Sequence, residues 1–183
     1  MNTELNGKVV LVTGGAGGIG SVISKSFAEQ GAKVIVHYNS SKDNAEKIAK
    51  EIGGEAIGSD LTDSAQSKKL FSKIIEKQGN IDVCVANAGN YPKEFAPLWE
   101  IESDRWENTV STNLSLTYNT AREFLKHASE TKKGSLVLIG STAGIYGEAG
   151  HADYAAAKGA ITSGLLRTLK NDCLLYTSDA ADE

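Results

Sequence analysis

Short apolar runs alternate with longer helical patterns, and a glycine-dense turn sits at the first junction; no other feature restricts the possible folds so tightly. Lys8-Val9-Val10-Leu11-Val12-Thr13 is β-branched, apolar and short enough to be a buried strand. It runs into Gly14-Gly15-Ala16-Gly17-Gly18-Ile19-Gly20, after which Ile19, Val22, Ile23 and Phe27 mark one face of a helix that Gly31 ends. The pairing then recurs. Residues 33–37 predict a second strand, and Ala45, Ile48, Ala49 and Ile52 a helix stopped by Gly53-Gly54. Residues 55–59 predict a weaker strand, and Leu70, Phe71, Ile74 and Ile75 a helix closed by Gly79. Two more strands are expected at 81–86 and 135–140, separated by a helical stretch over 103–129. A last helix is expected from about Tyr154 onward, with Leu165, Leu166 and Leu169 inward. Strands joined through helices need crossover connections, so the sheet should be parallel and covered on both faces. The expected fold class is α/β: a doubly wound, Rossmann-like parallel sheet.

Composition narrows the function classes. At 40% hydrophobic and 23% charged over 183 residues, the chain reads as globular, not disordered. A net charge of −4 argues against a nucleic-acid partner, which requires a basic face. No apolar run reaches the roughly 18 residues of a membrane span. Residues 1–8 lack the basic-then-apolar pattern of a secretory signal, so a cytoplasmic location is expected. Cys84 and Cys173 are too few for a disulfide framework or zinc site, and His37, His127 and His151 are scattered; no metal centre is expected. Cys84, within a strand, reads as an inert packing residue.

The glycine turn has a chemical reading. A helix N-terminus presents unpaired N–H groups and partial positive charge, which favour a phosphate, and side chains would obstruct its approach. Glycine-rich turns also serve tight packing alone. The spacing Thr13-Gly14-x-x-x-Gly18-x-Gly20 differs from G-x-G-x-x-G, and no Lys-Ser/Thr pair follows, which rejects a nucleoside-triphosphate P-loop.

Taken with Asn87-Ala88-Gly89 after the fourth strand, Ser141 after the fifth, and Tyr154-Ala155-Ala156-Ala157-Lys158, this spacing resembles the short-chain dehydrogenase/reductase family. The likeness runs from about residue 6 to residue 169 and is nearest to 3-oxoacyl-carrier-protein reductases. It implies a nicotinamide cofactor and a small carbonyl or alcohol substrate. Gly14, Gly18, Ile19, Gly20, Asn87, Ala88 and Gly89 are then cofactor-binding residues. Asp60 and Leu61 contact the adenine ring, although Asp60 can instead cap the following helix. Asn113 supports a proton-relay water, and Tyr154 and Lys158 also contact the cofactor, Lys158 at the nicotinamide ribose.

The residues suit that chemistry. Carbonyl reduction builds negative charge on oxygen and needs a proton donor, and a phenol with a pKa of about 10 is a poor one unless a cation is near. Tyr154 and Lys158 stand at i and i+4 on one helix face, which places Lys158 to favour tyrosinate. Ser141 can donate a hydrogen bond to the substrate oxygen. His151 reads as a solvated side chain, and Trp99, Trp106, Tyr91, Phe95 and Tyr118 as core or rim. A non-catalytic nucleotide-binding scaffold on the same fold is the alternative.

A carboxylate at the end of the second strand would select NAD. Here Tyr38-Asn39-Ser40-Ser41-Lys42 precedes the first acid, Asp43, so Asn39, Ser40 and Lys42 favour a 2′-phosphate and NADP is preferred, with NAD possible. The resemblance also implies a homodimer or homotetramer. Relatives continue into further strands where this chain reads Cys173-Leu174-Leu175-Tyr176-Thr177-Ser178-Asp179-Ala180-Ala181-Asp182-Glu183, which resembles the in-frame translation of a transposase-type sequencing adapter. The expectation is a domain over 1–172, incomplete at its C-terminus, and a non-native tail over 173–183. The family order 3-2-1-4-5-6-7 would then leave strand 5 as a bare edge, and the chain by itself unstable and nearly inactive.

Overall fold

The computed structural model describes residues 3–174. Five parallel strands, β1 (Val9–Val12), β2 (Lys33–Tyr38), β3 (Glu55–Gly58), β4 (Val83–Ala86) and β5 (Ser135–Leu138), form one sheet in the order β3-β2-β1-β4-β5. The expected parallel, doubly wound architecture is observed. Helices α1 (Gly18–Glu29), α2 (Lys42–Glu51), α3 (Ser64–Gln78) and α5 (Leu116–Thr131) cross between strands or flank them, and α4 (Ser103–Val110), α6 (Ala143–Tyr146), α7 (Ala152–Gly159) and α8 (Leu166–Leu174) complete the set.

Strand side chains alternate between the sheet faces. Val9, Leu11, Ile35 and Cys84 pack with Leu70, Phe71 and Ile74 of α3 and Leu116 and Phe124 of α5. Val10, Val12, Val34, Val36, Val83 and Val85 pack with Ala45, Ile48 and Ala49 of α2 and with Ile23 and Phe27 of α1. Each fully buried aliphatic or aromatic side chain contributes roughly 1.5–3 kcal/mol. Cys84 lies inside this core, and burial pushes its thiol pKa up.

Three expectations about helices need correction. Ile19 and Val22 are 65% and 63% exposed, because Gly20 and Ser24 turn the other face of α1 inward. The stretch over 103–129 is not one regular helix: a π-helical segment, Ser111–Ser115, separates α4 from α5. The final helix starts at Ala152, contains a second π segment at Ala160–Leu165, and leaves Leu166 exposed. The added residue in a π turn rotates later side chains off the 3.6-residue face. As for the expected boundary at 172, α8 continues through Leu174, and the rest of the proposed tail, 175–183, lies outside the described residues.

Residues 3–89 with Leu116–Ile139 make one compact unit, and Asn90–Ser115 with 140–174 a second.

Candidate active site

In the first unit the glycine turn is fastened by side chains from four segments. Thr13 Oγ1 accepts the N–H groups of Asn87 and Ala88, both at 3.0 Å, and donates to the Val85 carbonyl. Asn87 Nδ2 donates to the carbonyls of Thr13 (2.9 Å) and Gly14 (3.2 Å). Asn44 Nδ2 donates to the Ala16 carbonyl at 2.6 Å. His37 holds Gly14 from the other side, accepting its N–H at Nδ1 over 3.1 Å.

Two glycines are required by geometry. Gly14 has φ +61°, and a Cβ there would stand 2.9 Å from Ala88 Cα. A Cβ on Gly20 would collide with the Gly14 carbonyl and lie 2.7 Å from Asn87 Nδ2. Gly18 is different: a Cβ there would meet nothing, and Gly17 and Gly18 are exposed. Helix α1 begins at Gly18 with no side-chain cap and no acid in its first turn. Its leading N–H groups and positive dipole end therefore favour an anionic group such as a phosphate.

The remaining expected residues of this unit take the following places. Asn39, Ser40 and Lys42 are exposed beyond β2, and Lys42 Nζ is 3.7 Å from Glu46. Asp60 does not cap α3: its Oδ1 accepts from Thr62 N–H (2.9 Å) and Thr62 Oγ1 (2.7 Å), while Asp63 accepts from Ala65 and Gln66 at the helix start. The Leu61 side chain is buried, and its carbonyl accepts from Asn119 Nδ2. Gly89 is exposed.

His37 is buried in β2, and desolvation lowers its pKa to about 4 against weaker opposition from the Ser59 carbonyl and the Asp60 charge. The folded value lies below the ordinary 6.5, so the unfolded chain takes up the proton first. Stability therefore falls as pH drops from about 6.5 to about 4, by up to something on the order of 3 kcal/mol. Urea unfolding across this window should show wild type losing more stability than His37→Asn; parallel curves would contradict the assignment.

In the second unit Tyr154 and Lys158 are one turn apart on α7, with Lys158 Nζ 5.8 Å from the Tyr154 ring centroid. Lys158 is buried, which pushes its pKa below the usual lysine value. Helix α7 packs on α4, on α6 and on the π segment that carries Asn113. Asn113 Nδ2 donates to the carbonyls of Asn90 (2.8 Å) and Thr109 (3.0 Å), whereas its buried Oδ1 has no hydrogen-bond partner among the described residues. Ser141 Oγ accepts Ala143 N–H at 3.2 Å, a local turn that leaves the hydroxyl proton for another acceptor.

One network here has no signal in the sequence. Asp153, directly before Tyr154, is wholly buried and accepts from Arg105 Nε (3.0 Å), Arg105 Nη2 (3.3 Å) and Thr109 Oγ1 (2.9 Å). Burial pushes its carboxyl up, but the hydrogen bonds from Arg105 and Thr109 outweigh that and hold it below its ordinary value. Arg105 also donates to the carbonyls of Glu94 and Gly150, joining α4 to the segment before it and to the loop before α7.

His151 departs from its expected solvated state. It is 7% exposed, stacked on Tyr91 at 4.7 Å, with the Ala149 and Pro92 carbonyls facing its two ring nitrogens. Tyr91 donates to Glu148 and meets the Tyr154 ring edge-on at 5.0 Å. Trp99 is 85% exposed, which removes it from the core. Among the described residues no three His, Cys, Asp or Glu side chains gather as metal ligands, and no helix is long and apolar enough to cross a membrane.

A family model described as short chain dehydrogenase matches residues 8–176. A 3-oxoacyl-[acyl-carrier-protein] reductase of Thermotoga maritima is 34% identical over 163 residues, covering 86% of this chain and 65% of the relative. Versicolorin reductase of Emericella nidulans is 35% identical over 178 residues, 94% of this chain and 66% of the relative. A probable tetrahydroxynaphthalene reductase of Zymoseptoria tritici is 34% identical over 177 residues, 93% of this chain and 64% of the relative. The chain thus spans slightly less than two thirds of the length of these curated relatives.

Proposed function

The chain belongs to the short-chain dehydrogenase family, and on that premise we propose that it is an oxidoreductase moving a hydride between a nicotinamide cofactor and a small carbonyl or alcohol substrate. The observation that carries the proposal is the buried Lys158 ammonium one helical turn from the Tyr154 phenol. A bound reduced nicotinamide supplies the hydride. As negative charge develops on the carbonyl oxygen, the Tyr154 phenol passes its proton to that oxygen, and the Lys158 cation stabilises the phenolate left behind. Ser141 donates its remaining hydroxyl proton as a hydrogen bond to the same oxygen. Asn113 Oδ1, without a hydrogen-bond partner among the described residues, suits a water that returns a proton toward Lys158 and Tyr154. Gly14, Gly18, Ile19 and Gly20 hold the pyrophosphate, with Asn87, Ala88 and Gly89 behind them; Asp60 and Leu61 border the adenine, and Lys158 binds the nicotinamide ribose.

The cofactor is read as NADP. Asn39 and Ser40 are exposed after β2, Lys42 adds a cation, and no carboxylate lies between the end of β2 and Asp43. One charge-assisted contact to a 2′-phosphate corresponds to about tenfold in kcat/KM, so NADPH should exceed NADH by about that factor. Equal efficiency, or better turnover with NADH, would contradict this.

Relatives named as reductases of 3-oxoacyl-carrier protein, versicolorin and tetrahydroxynaphthalene supply the first substrate panel: β-keto thioesters, quinones and polyhydroxyarenes. A cytoplasmic homodimer or homotetramer belongs to the same reading. The 183-residue chain expressed alone is expected to aggregate and turn over poorly. Strand β5 pairs only with β4 among the described residues, and its Val137 is 42% exposed. Soluble expression of residues 1–183 with robust NADPH-linked turnover would contradict that expectation.

A further inference from the structure

His37 is the polar residue in the buried run Val34-Ile35-Val36-His37 of β2, where an aliphatic side chain would fill the space without desolvating an imidazole. Both ring nitrogens are engaged. Gly14 N–H points at Nδ1 over 3.1 Å, so Nδ1 carries no proton; the ring proton is therefore on Nε2, which donates to the Ser59 carbonyl at 3.0 Å. The His37 backbone carbonyl accepts the next amide, Gly15 N–H, at 2.9 Å. One residue thus grips two consecutive N–H groups at the start of the glycine turn and ties them to the end of β3, next to Asp60. A side chain is excluded at Gly14, because a Cβ there would stand 2.9 Å from Ala88 Cα.

We propose that His37 is a positioning residue for the cofactor: as an acceptor for Gly14 N–H and a donor to Ser59, it fixes the glycine turn against the β3 end and sets the conformation that receives the dinucleotide. The proposal rests on reading this turn as the cofactor loop. Without the acceptor, Gly14 N–H must find water, and the turn gains freedom that binding then has to remove.

Two near-isosteric variants separate the two hydrogen bonds. In His37→Asn the amide oxygen stands near the Nδ1 position and keeps an acceptor for Gly14. In His37→Gln the longer amide reaches the Nε2 position and keeps the donor to Ser59. NADPH dissociation constants measured by fluorescence titration of the full-length gene product, with urea stability of each variant alongside, are expected to show a clear order. His37→Gln should weaken NADPH binding about tenfold, raising KM for the cofactor more than it lowers kcat, while His37→Asn stays within about threefold of wild type. The two variants should differ less in stability than in cofactor affinity. Equal affinities for the Asn and Gln variants, or an affinity loss that tracks stability alone, would overturn the role of His37 and leave the cofactor reading in place. Failure of wild type to bind either NADPH or NADH would overturn the cofactor reading and the proposal with it.

Discussion

Replacing Tyr154 by phenylalanine is expected to lower kcat by about a thousandfold or more while the dissociation constant for NADPH stays within about threefold of wild type. The substitution removes one oxygen and its proton. The ring remains, so its edge-on contact with Tyr91 at 5.0 Å and its place beside Lys158 are preserved. Lost catalysis cannot then be assigned to a collapsed helix, and unchanged melting behaviour checks this directly. Single-turnover measurements with saturating NADPH would show the loss in the chemical step. A Tyr154→Phe enzyme that turns over within about tenfold of wild type would mean that the proton comes from elsewhere. The scaffold alternative makes a different prediction, cofactor binding without turnover in wild type itself.

The second large effect concerns stability. Truncating Arg105 to alanine is expected to destabilise the second unit by about 3–5 kcal/mol, because the Asp153 carboxylate would stay buried with its two guanidinium hydrogen bonds removed. The asymmetry of the pair sharpens the test. Arg105 keeps 19% of its side chain exposed and can be rehydrated, whereas Asp153 has none, so Asp153→Asn should cost less than Arg105→Ala. Arg105→Lys should fall between wild type and alanine, since an ammonium keeps the charge but not the planar fork. The Asp153 carboxyl is held below its ordinary value, so this contribution is full at neutral pH. It fades only as pH falls through the ordinary carboxylate range to the folded value. Since Asp153 immediately precedes Tyr154, kcat should drop along with stability. Urea unfolding that places Arg105→Ala within about 1 kcal/mol of wild type would show that the network does not anchor α7.

Much of this architecture was legible from local pattern. Strand and helix periods, the crossover rule and the glycine turn led to the parallel sheet and the place of α1 at its first junction. The i, i+4 spacing of Tyr154 and Lys158 sufficed to put both on one helix face. Other features depend on partners far away in the chain. Arg105 and Asp153 are 48 positions apart, and His37 meets Gly14 across 23, so neither carries a local signature. Asn44 likewise reaches the Ala16 carbonyl from 28 positions away. Ile19 and Val22 completed an apolar stripe by spacing, yet Gly20 rather than either of them faces the strand side, since only a residue without a side chain fits against Gly14 and Asn87. The π segments at Ser111–Ser115 and Ala160–Leu165 shift the helical phase in a way that no apolar periodicity announces.

Transfer of label from the cofactor to the product tests hydride transfer most directly. The full-length gene product would be incubated with NADPH deuterated at nicotinamide C4 and the panel of β-keto thioesters, quinones and polyhydroxyarenes, extended by small ketones, with products read by mass spectrometry. The expected result is deuterium on the carbon that was the carbonyl carbon, from at least one substrate, in wild type and not in Tyr154→Phe. Tight NADPH binding with no deuterium in any product, or equal labelling by wild type and Tyr154→Phe, would contradict it.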